Sequence, residues 1–267
     1  MVIVFGKVTD PPQAAGTSLP KDDCFAECFS ATDCILAYFN SDQKCSLYNY
    51  TTTQTLTVTE TNREDNCYVA FKTSMPSDSC PASPDSINLT LTVLDDTYHW
   101  TRTESGWNLK KCIDDWKRFY RNNSVTVCMQ SFNMTRGSTI EQAKEFCVTK
   151  GHVLTGLATM EECNWAYGKL QKQTTVRYLG YWIDGKRDCP VGVNCTNFVS
   201  SDGYTNGNNI EQEIYEEYNF YQTVLNKNKP EDCLVVSIAW ANQTLNDVNC
   251  DGFFTDALGV VCGYQFN

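Results

Sequence analysis

Apolar residues in this chain come in short runs that mostly alternate with polar ones, the period-two pattern of strands with one buried face. MVIVFG at the start predicts a strand that Gly6 and Lys7 end. CILAYF (34–39) and KCSLYNY (44–50) predict two strands around the turn-forming NSDQ, and TLTVTE (55–60) and CYVAFK (67–72) predict two more. NLTLTVL (88–94) alternates as well, and GVVCGYQF (259–266) reads as a buried final strand.

Helical spacing occurs in three places. A short helix is predicted over residues 22–29, with Asp22 or Asp23 as N-cap. Ser138 and Glu141 make a capping-box pattern, after which Ile140, Ala143, Phe146 and Cys147 fall on one face until Gly151 stops the helix. Thr159 and Glu162 repeat the pattern ahead of a helix running to about Gln171.

Cysteine changes this picture most. The chain of 267 residues, long enough for two domains, has 15 cysteines and two histidines, His99 and His152. No CxxC pair occurs, so disulfides in an oxidising compartment explain the cysteines better than metal ligation. The odd count leaves at least one thiol over. Six cysteines are closely spaced between Cys24 and Cys80, and nine are spread from Cys112 to Cys262. Residues 73–105, opening with the Ser- and Pro-rich SMPSDSCPASPDS, read as a linker with one strand at 88–94.

Asn-x-Ser/Thr triplets at Asn49, Asn88, Asn122, Asn133 and Asn242 are candidate glycosylation sites. The one at Asn194 is the weakest, with Cys195 in its middle position. A secreted, extracellular protein is expected, although residues 1–5 do not form a signal peptide. A net charge of −11 without a basic cluster disfavours nucleic acid and anionic membrane surfaces. No run approaches the roughly 18 apolar residues of a membrane helix, so no membrane insertion is expected. Nothing in the sequence sets an oligomeric state.

CFAEC (24–28), CILAYF and KCSLY together resemble the PAN/apple module, in the form common in nematode secreted proteins, over residues 1–72. The resemblance implies disulfides Cys24–Cys45 and Cys28–Cys34. It carries over no binding residue.

The second half resembles the C-type lectin-like fold over residues 106–267. The signals run in order: CIDDW (112–116) followed by Cys128, Cys147 on the first helix, HVLTGLA (152–158), YWIDG (181–185), then Cys233, Cys250 and Cys262. This resemblance implies Cys112–Cys128, Cys147–Cys262 and Cys233–Cys250. Cys189 and Cys195 lie close enough to pin a loop, and Cys67 is assigned to Cys80. That leaves Cys163, on a helix beside Trp165 and Tyr167, as a buried thiol.

Sugar-binding members of this family hold Ca²⁺ with a Pro-centred triplet, a later Glu and an Asn-Asp pair. Glu231, Asn246 and Asp247 match the last two parts. The triplet is missing, the nearest stretch being Gln222-Thr223-Val224, and Ca²⁺ wants six to eight oxygens. Ca²⁺ is therefore a possible cofactor of a degenerate site. IEQEIYEEYNFY (210–221) adds Glu211, Glu213, Glu216 and Glu217 as further oxygens or a solvated face, and its tyrosines and Phe220 as a contact surface.

No catalytic motif is present, so no enzyme is expected. The predicted architecture is α+β: a small disulfide-rich PAN/apple-like domain, a linker, and a C-type lectin-like domain with two helices, antiparallel strands and a long loop region. The resemblance implies recognition of a glycan or glycoprotein ligand outside the cell, often in innate defence. Protein–protein recognition without calcium, or a structural role, is the alternative.

Overall fold

The computed structural model describes residues 1–10, 16–73, 88–93, 96–121, 124–176, 179–187, 198–205, 231–238, 245–251 and 256–266. They fall into two compact units, Met1–Trp116 and Lys117–Asn267. Both are α+β. Among the described residues no helix is long and apolar enough to cross a membrane.

The first unit contains β1 (Val2–Asp10), α1 (Lys21–Ser30), β2 (Cys34–Phe39), β3 (Cys45–Asn49), β4 (Thr55–Glu60), β5 (Tyr68–Phe71), β6 (Thr90–Val93), β7 (Asp96–His99), β8 (Thr101–Thr103) and β9 (Gly106–Lys110). Seven strands form one sheet in the order β3-β2-β5-β1-β4-β9-β8, and β6 and β7 form a separate hairpin. β1 serves two partners: Val2 to Phe5 pair with β5, and the stretch from Gly6 onward pairs with β4. α1 begins one residue ahead of the sequence reading, and Pro20 rather than an aspartate stands at its N-cap. Asp22 and Asp23 occupy its first turn, where carboxylates complement the exposed N–H groups. Disulfides Cys24–Cys45 and Cys28–Cys34 tie the buried face of α1 to β3 and β2.

The stretch read as a linker is part of this unit. Leu89, Leu91, Tyr98, Trp100, Trp107 and Leu109 share one core cluster with Ile35, Leu56, Val58 and Phe71. The Phe71 ring meets Trp100 and Trp107 edge-on, at centroid distances of 4.7 and 5.4 Å. β9 takes the open edge of β4, pairing Gly106 with Thr59 through Lys110 with Thr55. Gly106 has φ +157°, and a Cβ there would sit 1.9 Å from the Val58 carbonyl oxygen, so only glycine fits. Ser, Thr and Pro dominate the composition of this stretch, but its few large apolar residues decide its fate. The second unit accordingly begins later than residue 106, after CIDDW.

The second unit contains β10 (Lys117–Tyr120), β11 (Thr126–Asn133), α2 (Ile140–Thr149), β12 (Val153–Leu154), α3 (Met160–Gln173), β13 (Leu179–Arg187), β14 (Phe198–Val199), β15 (Cys233–Ser237), β16 (Leu245–Val248) and β17 (Asp256–Gln265). The main path of its sheet is β10-β11-β17-β13-β15-β16, with β12 beside β17 and β14 beside β13. β11 and β17 run antiparallel from Val127↔Gln265 to Asn133↔Gly259, while β13 lies parallel to β17. Tyr181, Trp182 and Ile183 of the YWIDG run are buried in β13. Cys147–Cys262 fastens α2 to β17 across a sequence separation of 115, a closure worth up to about 5 kcal/mol in the chain-entropy view. Cys233–Cys250 joins the start of β15 to the turn after β16. Cys147–Cys262 and Cys233–Cys250 are the pairings that the sequence resemblance implied.

The α2 capping box sits one residue beyond the predicted pair. Thr139 Oγ1 accepts from the Gln142 N–H at 3.2 Å, and Gln142 Oε1 accepts from the Thr139 N–H at 2.9 Å. Ser138 instead offers its carbonyl to Trp182 Nε1 at 2.8 Å.

Cys67 corrects another expectation. It is a buried thiol rather than a partner of Cys80, and it accepts a hydrogen bond from the Tyr38 hydroxyl at 3.8 Å. It directly precedes β5, where the surrounding sheet covers it. Cys163 is a buried thiol on the core-facing side of α3. Cys112 and Cys128 are each disulfide-bonded. Cys80, Cys189 and Cys195 lie outside the described residues.

Two measurements test this account of the first unit. In the full chain, Trp107→Ala should destabilise the unit by about 3–5 kcal/mol in chemical denaturation, whereas a linker residue would cost almost nothing. Burial pulls the Lys111 ammonium down to about 8. A folded pKa below the unfolded value means that the unfolded chain holds the proton longer, so stability rises as pH climbs from about 8 towards 10. Lys111→Met should flatten that rise in thermal melts across the same range.

Candidate functional site

Two arginines organise the end of the second unit from which residues 206–230 depart. Arg121 follows β10 and is buried. Its Nε and Nη2 donate to the two carboxylate oxygens of Glu162, at 2.8 and 3.1 Å. Nη1 donates to Thr205 Oγ1 at 2.8 Å and to the Tyr204 carbonyl at 3.2 Å, and Nη2 donates to the Gly156 carbonyl at 3.0 Å. Every guanidinium N–H thereby finds an acceptor, which is what burying such a charge requires. Glu162 was read as a capping residue, and its backbone N–H does donate to Thr159 Oγ1 at 3.2 Å. Its carboxylate reaches back past the N-cap to the Ala158 N–H at 2.5 Å and also accepts from Arg121.

Asp202 and Asp184 complete this clamp. Asp202 accepts from the backbone N–H groups of Gly156, Tyr204 and Thr205 at 2.9, 3.1 and 2.8 Å, and from Thr205 Oγ1 at 2.6 Å. Asp184, the acid of the YWIDG run, accepts from the N–H and hydroxyl of Ser201, with Lys144 Nζ at 3.7 Å. Burial pushes its carboxyl up, and the Ser201 bonds and Lys144 oppose the shift. Residues 198–205 are thus held to α3, β12 and β13 by buried polar contacts.

Arg187 ends β13 and holds Glu231 and Asp232, which follow residues 206–230 in sequence. Its side chain is 5% exposed, as is that of Asp247 in β16. Nη2 donates to Asp247 Oδ2 at 2.7 Å and to the Glu231 carbonyl at 3.1 Å. Nε lies 3.5 Å from Asp232 Oδ1, and the guanidinium sits over the Phe198 ring at 4.5 Å. The Arg187 N–H donates to the Asp232 carbonyl at 2.8 Å. Burial pushes the Asp247 carboxyl up to about 6 against the pull of Arg187, and burial also raises Glu231. Gly185 lets this end of β13 lie close to β15, since a Cβ there would meet Leu234 Cδ1 at 2.6 Å.

The sequence singled out Glu231, Asn246 and Asp247 as a partial calcium set. The structure brings Glu231 and Asp247 to one place, around a guanidinium. Asn246 lies in β16 opposite Val235. Asp247 Oδ2 already accepts from Arg187, whose charge stands where an ion's would, so these residues do not fit Ca²⁺ as they stand. Gln222-Thr223-Val224 and the glutamates of 210–221 lie outside the described residues. Neither arginine was visible as a site residue beforehand, because each meets its carboxylate at a sequence separation of 41 or 60.

The remaining candidates are peripheral. His99 is an exposed residue of β7. His152 stacks on Tyr264 with centroids 5.1 Å apart, and burial lowers its pKa. Asn88 and Asn133 are exposed and Asn49 is half-buried. Asn122, Asn194 and Asn242 lie outside the described residues.

Residues 1–73 match the PAN-like domain family. Among solved structures, the carbohydrate-recognition domain of the mouse scavenger receptor C-type lectin is 22% identical, with 59% of this chain and 100% of that chain covered and a TM-score of 0.36. The Kupffer cell C-type lectin receptor is 18% identical, with 57% and 83% covered and a TM-score of 0.38. Herring type II antifreeze protein is 20% identical, with 58% and 100% covered and a TM-score of 0.36. No curated protein matches the chain.

Removing the Arg121 side chain should cost about 3–5 kcal/mol, because Glu162 would remain buried and uncompensated. Urea denaturation of Arg121→Ala reads this directly. A double-mutant cycle with Glu162→Gln should give a coupling of about 1–3 kcal/mol.

Proposed function

We propose that this chain is an extracellular recognition protein whose second unit binds a carbohydrate or glycoprotein ligand. One observation carries the reading: both flanks of residues 206–230 are fastened to the sheet by buried arginines. Arg121 holds Tyr204 and Thr205 on one flank, and Arg187 holds Glu231 and Asp232 on the other. A variable segment presented from a rigid scaffold is how many folds separate binding from stability. The intervening sequence contains Tyr215, Tyr218, Phe220 and Tyr221, residue types that provide contact area at low entropic cost. The disulfides support an oxidising, extracellular setting.

The purified full chain, tested on a glycan array and against immobilised glycoproteins with and without EDTA, should bind a defined subset of glycans. Tyr218→Ala and Phe220→Ala should each weaken that binding roughly tenfold while leaving the melting temperature unchanged. Binding only to deglycosylated proteins would replace the glycan reading with protein–protein recognition. Silence on both would remove it.

A further inference from the structure

We infer that Arg187 is a built-in cation at the rim of the second unit, occupying the position between Asp247, Asp232 and the Glu231 carbonyl that would otherwise call for a metal ion. The inference deepens the proposed recognition site and takes its location from that reading, but its chemistry stands on the arginine alone. Three chain segments meet here: the end of β13, the residues leading into β15, and β16. The end of β13 brings the guanidinium, the residues leading into β15 bring two oxygens towards it, and β16 brings one. Asp247 Oδ2 lies 2.7 Å from the guanidinium, the Glu231 carbonyl 3.1 Å and Asp232 Oδ1 3.5 Å.

Without a positive charge, these segments would leave the buried Asp247 carboxylate uncompensated beside the partly exposed Asp232, which folding resists. A divalent ion from solvent would neutralise them only when present. Arg187 neutralises them permanently, because guanidinium does not deprotonate in proteins. Its planar fork spans the Asp247 carboxylate and the Glu231 carbonyl, and Phe198 covers its face. The flank of residues 206–230 is therefore held irrespective of calcium concentration, and ligand binding there does not require the ion.

The test uses the full chain, thermal melts and calorimetric titration with CaCl₂, with no ligand present, so its outcome is independent of what the protein recognises. The native chain should melt at the same temperature in EDTA and in millimolar Ca²⁺, and should give no binding heat. Arg187→Gln, which removes the charge, should melt lower in EDTA and recover several degrees on adding Ca²⁺, as the released acids accept the ion. Arg187→Lys should remain indifferent to Ca²⁺. A native chain that Ca²⁺ stabilises overturns the inference. A folded Arg187→Gln chain that ignores Ca²⁺ also overturns it, since the arginine would then be filling no cation position. Should Arg187→Gln fail to fold, Asp247→Asn decides. It should lower the melting temperature equally in EDTA and in Ca²⁺, and a loss confined to Ca²⁺ would overturn the inference.

Discussion

Five hydrogen bonds from one guanidinium hold distant segments of the second unit together. Arg121 joins α3 through Glu162, the segment before α3 through Gly156, and the segment after β14 through Tyr204 and Thr205. None of these elements is adjacent to β10 in sequence. Apolar packing alone would bury them without selecting one arrangement, because hydrophobic contact is non-directional. A buried charge has few geometries that satisfy all its donors, so it selects one. The disulfide Cys147–Cys262 acts at a coarser scale, keeping α2 on β17 and closing most of the unit.

Arg187 repeats the chemistry at the rim, with a different consequence. Both arginines meet a buried carboxylate, but Arg121 sits among fully satisfied partners, whereas Arg187 gathers groups whose natural alternative is an ion. One guanidinium therefore joins α3 to the segments before it and after β14, and the other neutralises the acid of β16 beside the residues leading into β15. In sequence, residues 206–230 lie between Thr205, which Arg121 holds, and Glu231, which Arg187 holds.

The first unit solves a different problem. Its PAN-like part is small, and two disulfides staple α1 to the sheet, as small cores generally need. It also recruits residues beyond the PAN-like match. Trp100 and Trp107 pack on Phe71, and β9 covers the edge of β4. An open edge would invite pairing with other chains, and β9 and β8 extend the sheet past it.

The sequence by itself determined the local elements, the two-part α+β organisation and the oxidising setting. Strand alternation, helical capping patterns and cysteine spacing are properties of neighbouring residues, which is why α2, α3, β13 and β17 were legible, with α2's cap off by one position. The PAN/apple and lectin-like resemblances rested on ordered short motifs and so implied which cysteines lie together. Only the tertiary structure decided that Trp107 belongs to the first unit, that Cys67 remains a thiol, and that Asp247 faces Arg187. Each of these depends on partners brought together from distant positions in the chain, where composition and periodicity carry no signal. Whether an acid meets a metal or an arginine is settled by which strand ends converge, and that convergence exists only in the folded protein.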